Sequence, residues 1–322
     1  MTTPTTPSDP TTPTTPTGPP RPPTDVLVVG GAGVDTIVRV ETLPVPLADS
    51  HVVPPIQTLV GHTGTGVALG CHHLGLATRL VDVIGDDIEG RLVTSRLAAE
   101  GVPFDHVVHP SGTRRAVNLV DAQGRRMSFY DPRHPYDLVP DPDLWRDAVA
   151  ATRHVHASIM PWTVAALEEA TGRSLTTSTD LHDWDGDNPH HRPFAYAADL
   201  VFVSGSRLGE VEEAVVADVL DRGRARVVVV MDGARGSRVT VREGGSFTVP
   251  AVDVPDRPVV DSNGAGDAYV SGFLATWLAG RGARSAALAG AVSGAWACGT
   301  EGTHTSFVGP SELAAQLVRL RR

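Results

Sequence analysis

Short apolar runs alternate along the chain with longer stretches in which apolar residues recur at helical spacing. The runs DVLVVG, ATRLVDVIG, ADLVFVS and ARVVVVMDG have the length and content of buried strands, and stretches such as DDIEGRLVTSRLAAEG and SRLGEVEEAVVADVLDRG have the period of helices. Strands that are separated by helices pair in parallel, and a parallel sheet carries helices on both faces. The pattern therefore predicts an α/β fold built on a mostly parallel sheet.

Two ranges, about 36–59 and 106–131, interrupt this alternation. Both contain short segments of alternating apolar and polar residues, separated by turn residues and without an intervening helical stretch. We expect them to form a small accessory sheet, which in an α/β enzyme is well placed to act as a lid. An ordinary edge hairpin is the alternative.

The first 24 residues consist almost entirely of Thr and Pro. Such a segment has no apolar face whose burial would offset the entropy lost on ordering. We therefore expect a disordered tail over residues 1–24 and one folded domain over residues 25–322. From Gly264 onward this domain is predicted to be mostly helix rich in small residues.

Charge and cysteine content narrow the possible partners. A formal net charge of -10 disfavours non-specific attraction to nucleic acid or to an anionic membrane. The chain has no apolar run near the ~20 residues that span a bilayer, and its start lacks the basic and apolar regions of a secretory signal. Cys71 and Cys298 lie far apart in sequence, which supports neither a disulfide framework nor a zinc cluster. We expect a cytoplasmic protein that binds neither nucleic acid nor membrane.

The strongest chemical signal is VVDSNGAGDAYVSGFLATWLAG, residues 259–280. A short apolar run enters a glycine-bearing turn, and an amphipathic helix follows, so that the turn amides and the helix start favour an anion. A carboxylate at Asp267 would repel phosphate unless it accepts the proton of a hydroxyl that attacks that phosphate. The alternative is that Asp267 only stabilises the first turn of the helix through the helix dipole.

The segment DSNGAGDAYVSGFL resembles the second signature of the ribokinase-like (PfkB) carbohydrate kinases, D-T-x-G-A-G-D-x-F-x-x-G. The resemblance implies a three-layer α/β/α fold with a small β-sheet lid, and it makes Asp267 the catalytic base. It implies an anion hole formed by the backbone of Gly264, Ala265 and Gly266. Asn263 and Tyr269 depart from the usual residues of this signature, and we assign Asn263 to the nucleotide side.

Two further segments contain the candidate substrate-binding residues. In VVGGAGVDTIVRV the dinucleotide fingerprint GxGxxG fails at Thr36, and a strand-like run follows where a helix should begin. The resemblance makes Asp35 the acceptor of hydrogen bonds from substrate hydroxyls, with a solvated turn aspartate as the alternative. LVGHTGTGVALG resembles the family's first signature, with Thr63 and Gly66 in place of two asparagines that contact sugar. The candidate substrate-binding residues are therefore Asp35, Gly61, His62, Thr63 and Gly66, and Asp180 is a weaker candidate.

The segments that correspond to the family's nucleotide-binding motifs differ most from the family pattern. VVVVMDGARGSRVTV resembles the strand and glycine loop that hold the nucleotide, which assigns Asp232, Gly233 and Gly236 to this role. The family's N-x-x-E pair is degraded at DLVFVSGSRLGE. Alignment on the strand puts Ser204 at the Asn position and Arg207 at the Glu position, and the alternative alignment, which uses Glu210, leaves Arg207 at the Asn position. Ser204 and Arg207 remain candidates for nucleotide binding. No residue is assigned as a metal ligand.

The resemblance implies phosphoryl transfer from ATP, with Mg²⁺, to an alcohol group of a small molecule, and it leaves a monovalent cation open. A sugar is the first choice of acceptor and a nucleoside the second. A protein that senses sugars or nucleotides without turnover is the alternative from another class, motivated by the degraded N-x-x-E pair. A homodimer that forms through the lid is also expected from the resemblance.

Overall fold

A computed structural model describes residues 23–321 of the chain. The predicted disordered tail, residues 1–24, lies outside the described residues except at its last two positions, and Thr24 already begins the first strand. Within the described range, none of the helices combines the length and the apolar character that crossing a bilayer requires.

The strands of the described residues follow the apolar and alternating runs of the sequence. They are β1 Thr24–Val29, β2 Gly33–Arg39, β3 Gln57–Gly61, β4 Thr78–Ile84, β5 Phe104–Val108, β6 Arg115–Val120, β7 Arg126–Asp131, β8 Thr152–Ala157, β9 Thr176–Asp180, β10 Leu200–Ser204, β11 Val227–Met231, β12 Ser237–Val241 and β13 Gly245–Val249.

The helices fall between the strands and close the chain. They are α1 Thr63–His73, α2 Ile88–Glu100, α3 Arg146–Ala150, α4 Thr163–Gly172, α5 Arg192–Ala197, α6 Glu212–Arg222, α7 Ala265–Leu278, α8 Ala283–Ala297 and α9 Pro310–Arg319. The predicted helical character of the segment after Gly264 is thus seen in α7, α8 and α9.

The large sheet has the strand order β13-β12-β11-β10-β9-β8-β1-β4-β5. All neighbours from β11 to β5 pair in parallel, whereas β12 and β13 extend one edge in antiparallel fashion. Successive residues of β1 enter two different cores. Leu27 and Val29 pack with Trp145 and Phe194 on one face, while Val28 packs with Phe273 on the other. Because side chains alternate across a strand, one apolar run serves both helical layers.

The small sheet has the strand order β3-β2-β6-β7. Strand β2 pairs antiparallel with β3 and parallel with β6, and β6 pairs antiparallel with β7. This sheet corresponds to the predicted accessory sheet, and we call it the lid sheet. Residues 40–56, inside the first predicted lid range, contain no strand.

The second predicted lid range, 106–131, is wrong at its start. It begins inside β5, which pairs in parallel with β4 and belongs to the large sheet. β4, α2 and β5 form a crossover unit, and such a unit places its two strands side by side. Val107 and Val108 on this edge strand are 37% and 59% exposed, so β5 is not enclosed on both faces as the central strands of the large sheet are.

Candidate active site

The candidate residues come together at the carboxyl ends of the parallel strands, the usual ligand site of an α/β sheet. Asp180 is the last residue of β9 and Ser204 is the last residue of β10. Asp267 lies in the first turn of α7. A Cβ placed on Gly266 would lie 3.8 Å from Met231 Cε, so the start of α7 lies beside the end of β11.

The segment 261–267, which we call the GAGD turn, is built around the buried carboxylate of Asp261. Gly264 adopts a left-handed conformation (φ 75°) directly before α7, which a residue with a Cβ rarely adopts. The carboxylate of Asp261 is 3% exposed and accepts a hydrogen bond from the Asn263 amide (3.0 Å). The amide of Ala265 donates to the Ser262 carbonyl (3.3 Å). The turn is therefore fixed by its own polar groups at the positive end of a helix.

Asp267 is held by a residue that the sequence analysis did not identify. Its Oδ2 lies 2.8 Å from Nε2 of His304, and the side chains of Asp267 and His304 are 14% and 3% exposed. His304 lies between α8 and α9, where no local pattern of the sequence marks it as functional. The predicted base is thus one half of a carboxylate–imidazole pair.

The substrate-side candidates form a small polar group under the lid sheet. Asp35 is 7% exposed, and its Oδ1 lies 3.4 Å from His62 Nε2, which has no hydrogen-bond partner among the described residues. Burial lowers the pKa of His62, so its imidazole is neutral near pH 7. A Cβ on Gly61 would collide with the Asp35 carboxylate. Asp35 and His62 together therefore offer an acceptor and a second polar atom to a substrate hydroxyl.

Asp180 and His182 border the same site from β9. Asp180 is 4% exposed, and burial raises the pKa of its carboxyl group, an effect to which the negative charge of Asp267 adds. The amide of His182 donates to Asp180 (2.9 Å), and His182 Nε2 lies 3.4 Å from Thr63 Oγ1. His182 was not among the sequence candidates, and its contact with Thr63 joins β9 to the start of α1.

The lid sheet is tied to the GAGD turn by two arginines. Arg39 Nη2, at the end of β2, lies 2.6 Å from Asp261 Oδ2. Arg126 Nη1, at the start of β7, donates to Asn263 Oδ1 (3.2 Å). Asn263, which we assigned to the nucleotide side, therefore has its side-chain oxygen engaged by the lid sheet.

The nucleotide-side loops, residues 204–207 and 232–236, carry charges that are already paired within the protein. Arg207 contacts Asp183 (3.7 Å) and Asp185 (3.3 Å) and is 57% exposed. Ser204 Oγ accepts from the Ser206 amide (3.3 Å).

In the second nucleotide-side loop, Arg235 Nη2 donates to Asp232 Oδ1 (2.6 Å), and this hydrogen bond raises the pKa of Arg235. Gly233 and Gly236 both have positive φ, 52° and 90°. The loop therefore presents backbone in conformations that glycine permits, with the carboxylate of Asp232 engaged by an arginine.

Within residues 23–321, no three His, Cys, Asp or Glu side chains are grouped in a way that would hold a metal ion. Mg²⁺ in nucleotide sites takes most of its ligands from phosphates and water and only one or two from carboxylates. The described residues therefore fit a metal that is carried by nucleotide phosphates better than one held in a cage of protein ligands.

Comparisons with known proteins agree with this geometry. The profile of pfkB family carbohydrate kinases matches residues 23–308. The acarbose 7(IV)-phosphotransferase of Actinoplanes sp. is 46% identical over 292 residues, which cover 88% of this chain and 95% of the relative. The ATP-dependent ribose-1-phosphate kinase of Halopiger xanaduensis is 28% identical over 285 residues, covering 87% and 94% of the two chains.

Solved structures give the same result. A microbiome-derived acarbose kinase is 56% identical, with a TM-score of 0.87, and the match covers 92% of this chain and 100% of that chain. Arabidopsis thaliana ribokinase is 20% identical, with a TM-score of 0.76 over 92% of this chain and 99% of that chain, and it supports the fold alone. The predicted fold class, a mostly parallel sheet between helical layers with a small accessory sheet, is confirmed.

Proposed function

Because the chain belongs to the PfkB family of carbohydrate kinases, and is an ATP-dependent sugar kinase, we propose that Asp267 is its general base and that acarbose is its acceptor. The observation that supports the base is the position of its carboxylate in the first turn of α7, beside the glycine turn. The acceptor is supported by two acarbose-phosphorylating relatives, 46% and 56% identical over most of the chain.

The reaction that we propose moves one proton and one phosphoryl group. Asp267 takes the proton of the acceptor hydroxyl, the hydroxyl oxygen bonds to the γ-phosphorus, and the bond from that phosphorus to the bridging oxygen of ADP breaks. ADP leaves with the electron pair. The anion hole expected from the sequence comprises Gly264, Ala265 and Gly266. Because the Ala265 amide already donates to the Ser262 carbonyl, we assign the amides of Gly264 and Gly266, together with the positive end of α7, to the charge that develops on the transferred group.

The contacts of Arg39 and Arg126 support a role of the lid sheet in this step. Both arginines reach the GAGD turn from the lid sheet, so that covering the substrate also brings positive charge beside the anion hole. An enclosed site strengthens electrostatic interactions because it excludes water. Mg²⁺ bound with ATP would be held mainly by phosphate and water ligands and would neutralise charge on the nucleotide phosphates.

Asp35 and His62 are proposed to orient the acceptor. The side chains of Asp35, in β2 of the lid sheet, and of His62, directly after β3, are 10% and 8% exposed, and their facing polar atoms are 3.4 Å apart without a hydrogen bond between them. A bound hydroxyl would supply the partner that His62 Nε2 lacks, and leaving such a buried polar atom unpaired is costly.

A dimer through the lid sheet and a cytoplasmic location stay predictions. Val117 and Phe129 on the lid sheet are 38% and 57% exposed, which is consistent with a face that another copy covers. The dimer is tested by the mass of the particle in solution, measured by light scattering, for the protein and for a Phe129→Glu variant. A monomer in both preparations would contradict it.

The acceptor is tested by measuring ADP formation from ATP and Mg²⁺ with acarbose, ribose, fructose and adenosine in turn, with mass spectrometry of the product. The Asp267→Asn protein, prepared in the same way, gives the background of contaminating kinases. Acarbose should have the highest kcat/KM and should gain one phosphoryl group. A higher kcat/KM with adenosine would make the chain a nucleoside kinase. Tight binding of a sugar without turnover of any acceptor would favour a sensing protein.

A further inference from the structure

One imidazole fills a slot between two separate glycines of the site. A Cβ placed on Gly66, in α1, would collide with the ring of His304, and a Cβ placed on Gly264 would lie 2.8 Å from His304 Cδ2. The side chain of His304 is 3% exposed. The two glycines therefore leave room for a ring that arrives from the segment between α8 and α9.

The pairing of His304 with Asp267 fixes the direction of the hydrogen bond. An ionised carboxylate only accepts hydrogen bonds, so Nε2 of His304 is the donor across the 2.8 Å contact with Asp267 Oδ2. Nδ1 of the same ring is buried and has no partner among residues 23–321. One carboxylate oxygen of Asp267 is thus occupied, and the other is left to face an alcohol.

The backbone of His304 is also anchored. Its φ is 53°, in the left-handed region that residues with a Cβ rarely adopt. Its carbonyl oxygen accepts a hydrogen bond from Arg96 Nη2 (3.2 Å), and Arg96 is itself paired with Glu100 (2.9 Å) on α2. The ring of His304 is thus held by its slot and its backbone by α2.

We propose that His304 is a positioning residue that holds the carboxylate of Asp267 in the orientation for proton abstraction, in the volume that Gly66 leaves open. The proposal rests on the proposed role of Asp267 as the base. The two glycines and the histidine then act as one unit, although they lie in three separate parts of the sequence. A larger side chain at position 66 is incompatible with this unit because it would displace the imidazole.

The first test compares His304→Gln with His304→Leu. Gln keeps an N–H donor at a similar reach, whereas Leu fills much of the volume without any donor. We expect His304→Leu to lower kcat by about 10²-fold, the cost of misplacing a reacting group by roughly 1 Å. We expect His304→Gln to retain most of kcat, and both variants to keep the KM for ATP.

His154→Leu is the matched control. His154 is a fully buried imidazole that hydrogen-bonds to Thr176 (2.9 Å) and Ser178 (2.7 Å) within β8 and β9. Its replacement should lower the unfolding midpoint while kcat per folded molecule stays the same. An equal loss of kcat in the Gln and Leu variants of His304, or full activity in His304→Leu, would overturn the proposal. An unchanged kcat in Asp267→Asn would instead refute the base itself, whatever the His304 variants do.

The second test measures the coupling between positions 66 and 304. Gly66→Ala alone should lower kcat because its methyl group displaces the imidazole, although Ala is the better residue in a helix. In the His304→Ala background the three nearest contacts of this methyl group, all with the imidazole, are removed, and the substitution should cause no further loss. Strong non-additivity in this double-mutant cycle supports the slot, and simple additivity contradicts it.

Discussion

The GAGD turn and the nucleotide-side loops border the same cleft, but they hold their charges in different ways. In the GAGD turn the carboxylate of Asp261 is 3% exposed and is reached by Arg39 from the lid sheet. In the nucleotide-side loops, Arg207 is 57% exposed and pairs with nearby aspartates. Buried charges are costly to leave unpaired, whereas exposed pairs contribute little. The comparison predicts that substitutions in the GAGD turn and its contacts have large effects, and that those in the nucleotide-side loops have small ones.

Replacing the base should have the largest effect. Asp267→Asn keeps the size of the side chain but removes the proton acceptor, so kcat should fall by about 10²- to 10⁴-fold, the usual contribution of a general base. The dissociation constant of ATP, measured by calorimetry, should change little because the anion hole is backbone. Unchanged turnover in this variant would refute the assignment of Asp267.

Gly264→Ala should have the next largest effect. The substitution places a Cβ 2.8 Å from His304 Cδ2 and also strains a residue with φ 75°. Since the turn amides must point at the developing charge, we expect a loss of about 10²-fold in kcat, comparable to losing one anion-hole donor.

Gly280→Ala separates the effect of backbone strain from the effect of the contact with His304. Gly280 has the same φ of 75° and lies after α7, and a Cβ placed on it would meet none of the surrounding described residues within 4 Å. The substitution should lower the unfolding midpoint through backbone strain and leave kcat unchanged. If Gly264→Ala and Gly280→Ala lower kcat by the same factor, displacement of the GAGD turn is not the cause of the loss in Gly264→Ala.

The location of the GAGD turn could be predicted from sequence because its parts are adjacent in the chain. A strand, a glycine turn and a helix were expected to follow one another within residues 259–280. The structure places the turn at the start of α7 as expected, but residues 250–264 contain no strand, so the apolar residues before the turn were wrongly predicted to form one. Asp35 likewise lies within one strand that follows a glycine-rich turn. Where local order determines the position of a side chain, the pattern of the sequence was sufficient.

The partners of these residues could not be predicted in the same way. Arg39 and Asp261 are separated by 222 positions, and His304 and Asp267 by 37, so only tertiary packing brings each pair together. The misplaced start of the second lid range has a related cause. β5 is an edge strand whose last three residues are all exposed, and a short apolar run of this kind does not distinguish the edge of the large sheet from a strand of the lid sheet.

Arg39→Met tests the contact between the lid sheet and the GAGD turn. The buried carboxylate of Asp261 would lose its cation, and we expect a loss of about 2 kcal/mol in the free energy of unfolding, as for a hydrogen bond to a charged group. The KM for the sugar should rise because the lid sheet is less firmly held. Both quantities are measurable, by denaturant titration and by steady-state kinetics.

Arg153→Met is the control for this variant. Arg153 pairs with Asp25 at 2.8 Å but is 63% exposed and lies outside the lid sheet. Its loss should change the free energy of unfolding by no more than about 0.5 kcal/mol. Equal losses in the Arg39 and Arg153 variants would mean that burial of Asp261 does not strengthen the contact.

Arg207→Ala should have the smallest effect of the series. The guanidinium of Arg207 already lies between Asp183 and Asp185, so its charge is largely compensated before any phosphate arrives. Exposed pairs of this kind contribute little, and we expect the KM for ATP to change by less than about fivefold. A much larger rise in the KM for ATP, with an unchanged KM for the sugar, would show that Arg207 leaves its aspartates to meet a phosphate. In that case the two regions would differ in mobility rather than in importance, and the nucleotide-side loops would take their active arrangement only when ATP binds.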